Sequence, residues 1–152
     1  MRVFQTEIVI DAPAENVWEI LARFGRYPLW NPFIRSIVSL AGPSEQLQIS
    51  VKLRGMPKIS FKAALTTFDE PRKIGWHAVF FLEGMFEAHH QFEIKPLSST
   101  QSRVIQREEF SGWLTDAALL LLAGSFRKGY RDMNRALKKE VEKEQVIEQV
   151  IE

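Results

Sequence analysis

Near the start of the chain, Phe4, Thr6, Ile8 and Ile10 fall on one parity, the alternation of a strand with one buried face. The run ends at Asp11-Ala12-Pro13, where proline suits the first turn of a helix. In that helix Val17, Trp18, Leu21 and Phe24 recur at helical spacing, and Gly25 is expected to stop it. The stretch RYPLWNPF at 26–33 carries two prolines, which permit a short helical turn and then an extended exit.

Six further runs, 34–40, 47–53, 59–68, 74–81, 86–96 and 103–110, read as strands. The separators AGPSEQ, RGMPK, DEPRK, LEG and LSSTQS are short and rich in turn formers, so neighbouring strands are expected to be antiparallel and to form a meander. From 115 to about 142 or beyond, a helical pattern puts Ala118, Leu122, Ser125, Phe126, Gly129, Met133, Ala136 and Leu137 on one face. Arg127, Lys128, Arg131, Arg135, Lys138 and Lys139 project from the other side, as a solvated helix face does. An antiparallel sheet with one apolar face needs a cover, and the C-terminal helix has the length to supply it. The expected class is α+β, seven antiparallel strands in the order β-α-α-β6-α. Residues 1–142 form one domain and 143–152 a helical or frayed tail, whose Val146, Ile147, Val150 and Ile151 continue an apolar stripe.

Composition narrows the function. A chain of 152 residues buries one core. The formal charge of +1 lacks the basic excess that nucleic-acid binding requires. There is no cysteine, which excludes disulfides, zinc–thiolate sites and thiol nucleophiles. The longest apolar run, AALLLLAG at 117–124, falls short of the ~20 residues of a membrane span. The opening residues lack the layout of a signal peptide, so integral membrane contact is not expected and a cytoplasmic location is the default. Eleven Phe and four Trp against two Tyr suit an apolar interior.

Loop lengths extend the alternation across strands. The loop LSSTQ sets Phe92 opposite Gln106, Ile94 opposite Val104 and His90 opposite Glu108. Reading LEG as a three-residue loop, with Gly84 left-handed, sets Phe80 opposite Phe86, Ala78 opposite Ala88 and Trp76 opposite His90. A four-residue loop EPRK keeps Phe61, Ala63 and Leu65 on that same side. The result is a row Trp76, His90, Glu108 facing the covering helix, with His77 and His89 facing out. A His opposite a Glu under a helix is a candidate acid/base pair, a candidate anchor for a ligand's polar group, or a satisfied buried pair with no ligand at all. Gln106, also inward, is one more potential hydrogen-bonding group. A metal site is not expected, because adjacent His89 and His90 lie on opposite faces and no third ligand joins His77 and His89. No nucleophile elbow or phosphate-binding loop is present, and no cofactor is implied.

The stretches IDAPAENVWEIL at 10–21, RYPLWNPF at 26–33, HQFEIKP at 90–96, EEFSG at 108–112 and MNRALKKEVE at 133–142 resemble the START-like, or SRPBCC, superfamily, in particular its polyketide cyclase/dehydratase-like branch. The resemblance implies a helix-grip fold, a curved sheet wrapped around the long C-terminal helix, with an apolar cavity between them. It also implies that Trp30 and Phe33 stand at the cavity mouth. The expected apolar wall is Phe61, Trp76, Phe80, Phe92, Leu122, Phe126 and Met133, with His90, Gln106 and Glu108 as polar anchors. Gly129 leaves a gap on the buried helix face that a ligand or strand would fill. Three functions follow: binding of a hydrophobic, aromatic or lipid-like small molecule; a cyclase or dehydratase using His90 and Glu108 for proton transfer; or an interaction or chaperone module whose cavity is filled by its own side chains. A monomer, or a weak homodimer through the tail, is expected.

Overall fold

The computed structural model describes residues 1–40 and 45–151, so most of the separator expected at 41–46 lies outside the described residues. Strand β1 (Arg2–Ile10) leads to helix α1 (Ala14–Ala22), with Pro13 at its N-terminal cap position. The helix ends at Ala22, before the expected stop at Gly25, and the chain tightens into a 3-10 turn (Phe24–Arg26) that runs into α2 (Tyr27–Trp30). Phe24 explains the early end. Instead of continuing the α1 face, its ring packs edge-on against Tyr27, Phe68 and Trp76. Tyr27 closes the corner by donating its hydroxyl to Leu21 O at 2.8 Å.

The meander follows as β2 (Ile34–Leu40), β3 (Gln46–Val51), β4 (Ile59–Asp69), β5 (Lys73–Phe80), β6 (Phe86–Pro96) and β7 (Ser102–Ser111). The seven strands form one antiparallel sheet in the order β1-β7-β6-β5-β4-β3-β2. Helices α1 and α2 therefore carry the chain from one edge of the sheet to the other. The registers expected for the last two hairpins are borne out: Trp76 pairs with His90, and His90 with Glu108. Gly84 takes φ 81° in the β5–β6 turn. The β4–β5 loop differs from expectation. Asp69 pairs with Lys73, one residue tighter than a four-residue EPRK loop, and a bulge between Leu65 and Thr67 restores the parity. Leu65 then pairs with Trp76 and Ala63 with Ala78, so the expected inward face survives.

Helix α3 (Thr115–Ile151) crosses the concave face over 37 residues, a length of about 55 Å. Its buried residues include Leu119, Phe126, Tyr130, Met133, Asn134, Leu137 and Val141. The expected face was rotated slightly: Ser125 and Ala136 are half-buried flanks, and Tyr130 and Asn134 take the interior. The basic stripe faces outward, with Lys128 and Arg135 both near Asp132 and Lys138 on Glu142. Helix α3 runs on to Ile151 and leaves Val146, Ile147, Val150 and Ile151 exposed.

Candidate functional site

Three neighbouring strands place Trp76, His90 and Glu108 side by side on the concave face. The indole of Trp76 lies flat on the imidazole of His90, with centroids 5.0 Å apart and planes 9° apart. His90 is 3% exposed and Glu108 8%. Nδ1 of His90 stands 2.7 Å from Oε2 of Glu108, yet this oxygen makes no well-aligned hydrogen bond. The pair is close without being satisfied. On its other side, His90 Nε2 is buried and finds no hydrogen-bond partner among the described residues. Tyr130 faces the pair from α3, 5.9 Å from His90 between ring centroids, and its hydroxyl is likewise unpartnered. Burial, and then the nearby Glu108 carboxylate, push the Tyr130 phenol well above its usual pKa. Buried polar groups are normally paired, and each one left alone costs about 1–3 kcal/mol. A cluster of such groups is unusual outside a site that something else completes.

That space exists. A cavity of about 250 Å³ lies between the sheet and the first turns of α3. Of the residues expected to form the site, Phe33, Phe61, Trp76, Phe80, His90, Glu108, Leu122 and Phe126 line it. His90 and Glu108 are the two ionisable side chains among the described residues of the lining. Phe81 lines the cavity too and is 81% exposed, so the space reaches the surface there. It holds φ 68°, a left-handed conformation that costs an L-residue roughly 1–2 kcal/mol. Leu82, Trp113, Leu120 and Leu121 are exposed on the adjoining loops and the start of α3, where Trp113 N donates to Gly84 O. This end therefore exposes several large apolar side chains, beside Glu83 and Asp116.

The other five expected residues stand elsewhere. Trp30 packs on Tyr27 at the α1–α2 corner, not at a cavity mouth, and its indole N–H is buried without a partner. Phe92 is core, packed edge-on against Trp76 and His90. Gln106 reaches across to α3, donating from Nε2 to Asn134 Oδ1 at 2.7 Å and to Tyr130 O at 3.3 Å. Met133 is fully buried beside the Asn31 amide, 2.8 Å from its Nδ2. Gly129 does leave a gap, and the Phe33 ring fills it. A Cβ at 129 would clash with the Phe33 ring.

Sequence reasoning missed the wall contributed by β2 to β4, including Ile34, Ile49, Val51 and Ile59, together with Leu53 and Met56 from the β3–β4 loop. The alternation of Leu47, Ile49 and Val51 was the available signal. It also missed Asn31, whose Oδ1 accepts from Phe33 N at 2.9 Å and Ile34 N at 2.8 Å, fixing the corner that aims Phe33 inward. The other histidines lie on the outer face. His77 meets Glu87 at 2.9 Å, and His89 Nε2 meets Thr66 Oγ1 at 3.1 Å. Burial lowers the His89 pKa, against the opposing pull of Glu109. Among the described residues no group of three His, Asp or Glu side chains is placed to hold a metal ion.

This architecture matches a known family. The family model described as polyketide cyclase / dehydrase and lipid transport covers residues 1–142. The chain belongs to that family. Solved structures agree on the fold. An aromatase/cyclase from a Streptomyces species superposes with a TM-score of 0.77 at 17% identity, over 93% of each chain. A START superfamily protein from Mycobacterium smegmatis gives 0.70 at 23% identity, over 93% of this chain and 97% of that one. Norcoclaurine synthase from Thalictrum flavum, in complex with dopamine and hydroxybenzaldehyde, gives 0.68 at 14% identity, over 93% of this chain and 87% of that one. No curated protein is similar enough in sequence to count as a relative. For a polyketide cyclase / dehydrase and lipid transport family member, the cavity lies where a helix-grip fold leaves space, between sheet and long helix. Among the described residues no helix is long and apolar enough to cross a membrane.

Proposed function

We propose that this protein binds a hydrophobic or aromatic small molecule in the cavity beneath α3, with His90 and Glu108 anchoring its polar group. The observation that carries this reading is the combination of apolar walls with one unsatisfied polar pair, the usual construction of a ligand pocket. The apolar surface around Phe81 supports access from that end. Near-neutral charge favours a small-molecule ligand over a nucleic-acid partner, and the proposal is of a cytoplasmic protein, monomeric or weakly dimeric. Native mass spectrometry of the purified chain, with displacement of an apolar fluorescent dye, tests the reading. A bound small molecule or one-to-one dye uptake is expected, and failure of both overturns it.

A second reading is catalysis of the cyclase or dehydrase type, and one observation favours it. His90 Nε2 lacks a partner while Nδ1 rests against Glu108, so the imidazole is oriented from one side and free on the other. In that case His90→Gln and Glu108→Gln lose turnover of a bound aromatic precursor while keeping most of their ligand affinity. Equal loss of turnover and affinity assigns the pair to orientation alone. A module with a filled cavity is disfavoured by the volume present.

A further inference from the structure

Helix α3 runs past the body that it covers. Leu137 and Val141 are buried, and Gln145, the next residue in that row at a spacing of four, is half-buried. Glu142 still touches the body, where it accepts from Asp11 N at 3.0 Å. Beyond it, Val146, Ile147, Val150 and Ile151 are 46% to 79% exposed. At 3.6 residues per turn, the centre of this apolar group lies more than about a third of a turn round the helix from the row of Leu137 and Val141. It is turned away from the sheet. The four side chains are β-branched and lower helix propensity, so the helix itself gains nothing from them. They also lie beyond residue 142, outside the part of the chain shared with the family.

The charges around the group select its occupant. The same turns carry Glu142, Glu144 and Glu148, with Lys143 the one cation among them. A helix that lies on a lipid surface carries Lys and Arg on its polar side instead. A second copy of the same helix end sets apolar against apolar and closes as a two-fold pair. Its direction follows from Lys143, which is exposed and precedes Val146 and Ile147 by one turn on their own face. Parallel pairing would set Lys143 against Lys143 on the seam, and Glu144 and Glu148 level with their copies. Antiparallel pairing centred on the apolar group keeps the two Lys143 about 16 Å apart along the axis. Each of the four side chains presents on the order of 100 Å². The pair then buries about 800 Å² in total, below the ~1,200 Å² of a stable complex.

We propose that the Val146–Ile151 segment forms an antiparallel two-fold contact with the same segment of a second copy, with a Kd between about 10 μM and 1 mM. This contact gives the weak dimer named above its surface and direction. It leaves the cavity, at the other end of α3, unobstructed, and it stands whether or not the cavity takes a ligand. Sedimentation equilibrium of the full chain from about 10 μM to 1 mM tests it, and the weight-average mass is expected to rise from that of one chain toward that of two. Ile147→Glu, at an exposed position, is expected to keep the denaturation midpoint of the unmodified protein while the mass stays at one chain throughout. Because the chain has no cysteine, single substitutions report the direction. Under air, Ile147→Cys, close to the two-fold axis, is expected to give a disulfide-linked dimer, and Lys143→Cys is not. Equal cross-linking of the two overturns the antiparallel order. A mass of one chain at every concentration, or a dimer untouched by Ile147→Glu, overturns the contact itself. Co-sedimentation of a monomeric chain with phosphatidylcholine vesicles overturns it in favour of a lipid surface.

Discussion

One sheet and one helix enclose two different interiors. Toward the middle and C-terminal part of α3, Phe92, Gln106, Met133, Asn134 and Leu137 are buried and border no part of the cavity. Toward its start, Phe33, Phe61, Phe80, His90, Glu108 and Phe126 border a void. Along β6 and β7 the two regions are only one inward position apart, His90 against Phe92 and Glu108 against Gln106. The direction of the polar contact separates them. Gln106 bonds across the layers to Asn134 and ties helix to sheet, whereas Glu108 turns sideways to His90 within the sheet. Here the cross-layer bond lies in the filled interior, and the in-layer pair borders the open one.

Truncation in the filled region should have the largest effect. Phe92→Ala is expected to cost about 3–5 kcal/mol in denaturant unfolding, the usual price of an unrelaxed core cavity, while Phe61→Ala, at a half-buried wall that already borders a void, should cost about half as much or less. Equal losses would break the distinction between the regions. Next in size, Gln106→Leu strands Asn134 Oδ1 and should cost about 1–3 kcal/mol. Glu108→Gln, whose partner is already poorly bonded, should cost less by the same measurement. Gly129→Ala should destabilise by about 1 kcal/mol, because overpacking is partly offset by better helix propensity. The Phe33 ring has a void to move into, so reduced dye uptake in this variant is the sharper readout.

The smallest effect is electrostatic. Burial raises the pKa of Tyr27, as it does that of Tyr130. Above pH ~10 the unfolded chain releases phenolic protons that the folded chain retains, so stability present below that pH declines as pH rises. At pH 10 the loss is about 0.4 kcal/mol per tyrosine, read from denaturation midpoints at pH 8 and 10. The tyrosinate absorbance of the folded protein should stay flat over that range.

Alternation and loop length were enough to read the row Trp76, His90, Glu108 from the chain, because a strand's parity is fixed once its turn is counted. Even the misjudged β4–β5 loop did no damage, since the Thr66 bulge compensated for the tighter turn. Parity says which face a side chain takes but not how far that face stands from its cover. Gln106 and Met133 were therefore indistinguishable in sequence from Glu108 and Leu122, although the former pair fills space and the latter borders it. The meeting of Gly129 with Phe33 was equally hidden, as it joins distant parts of the chain through the Asn31 corner.

The sheet order also carries a kinetic consequence. From β2 to β7 every pairing joins strands consecutive in sequence, so those hairpins close over short loops. β1 instead pairs with β7, from Arg2↔Phe110 to Ile10↔Ser102, across roughly a hundred residues, the slowest class of contact to form. The strand carrying Glu108 is therefore expected to gain its second neighbour late, leaving the carboxylate that borders the cavity among the last groups to become rigid.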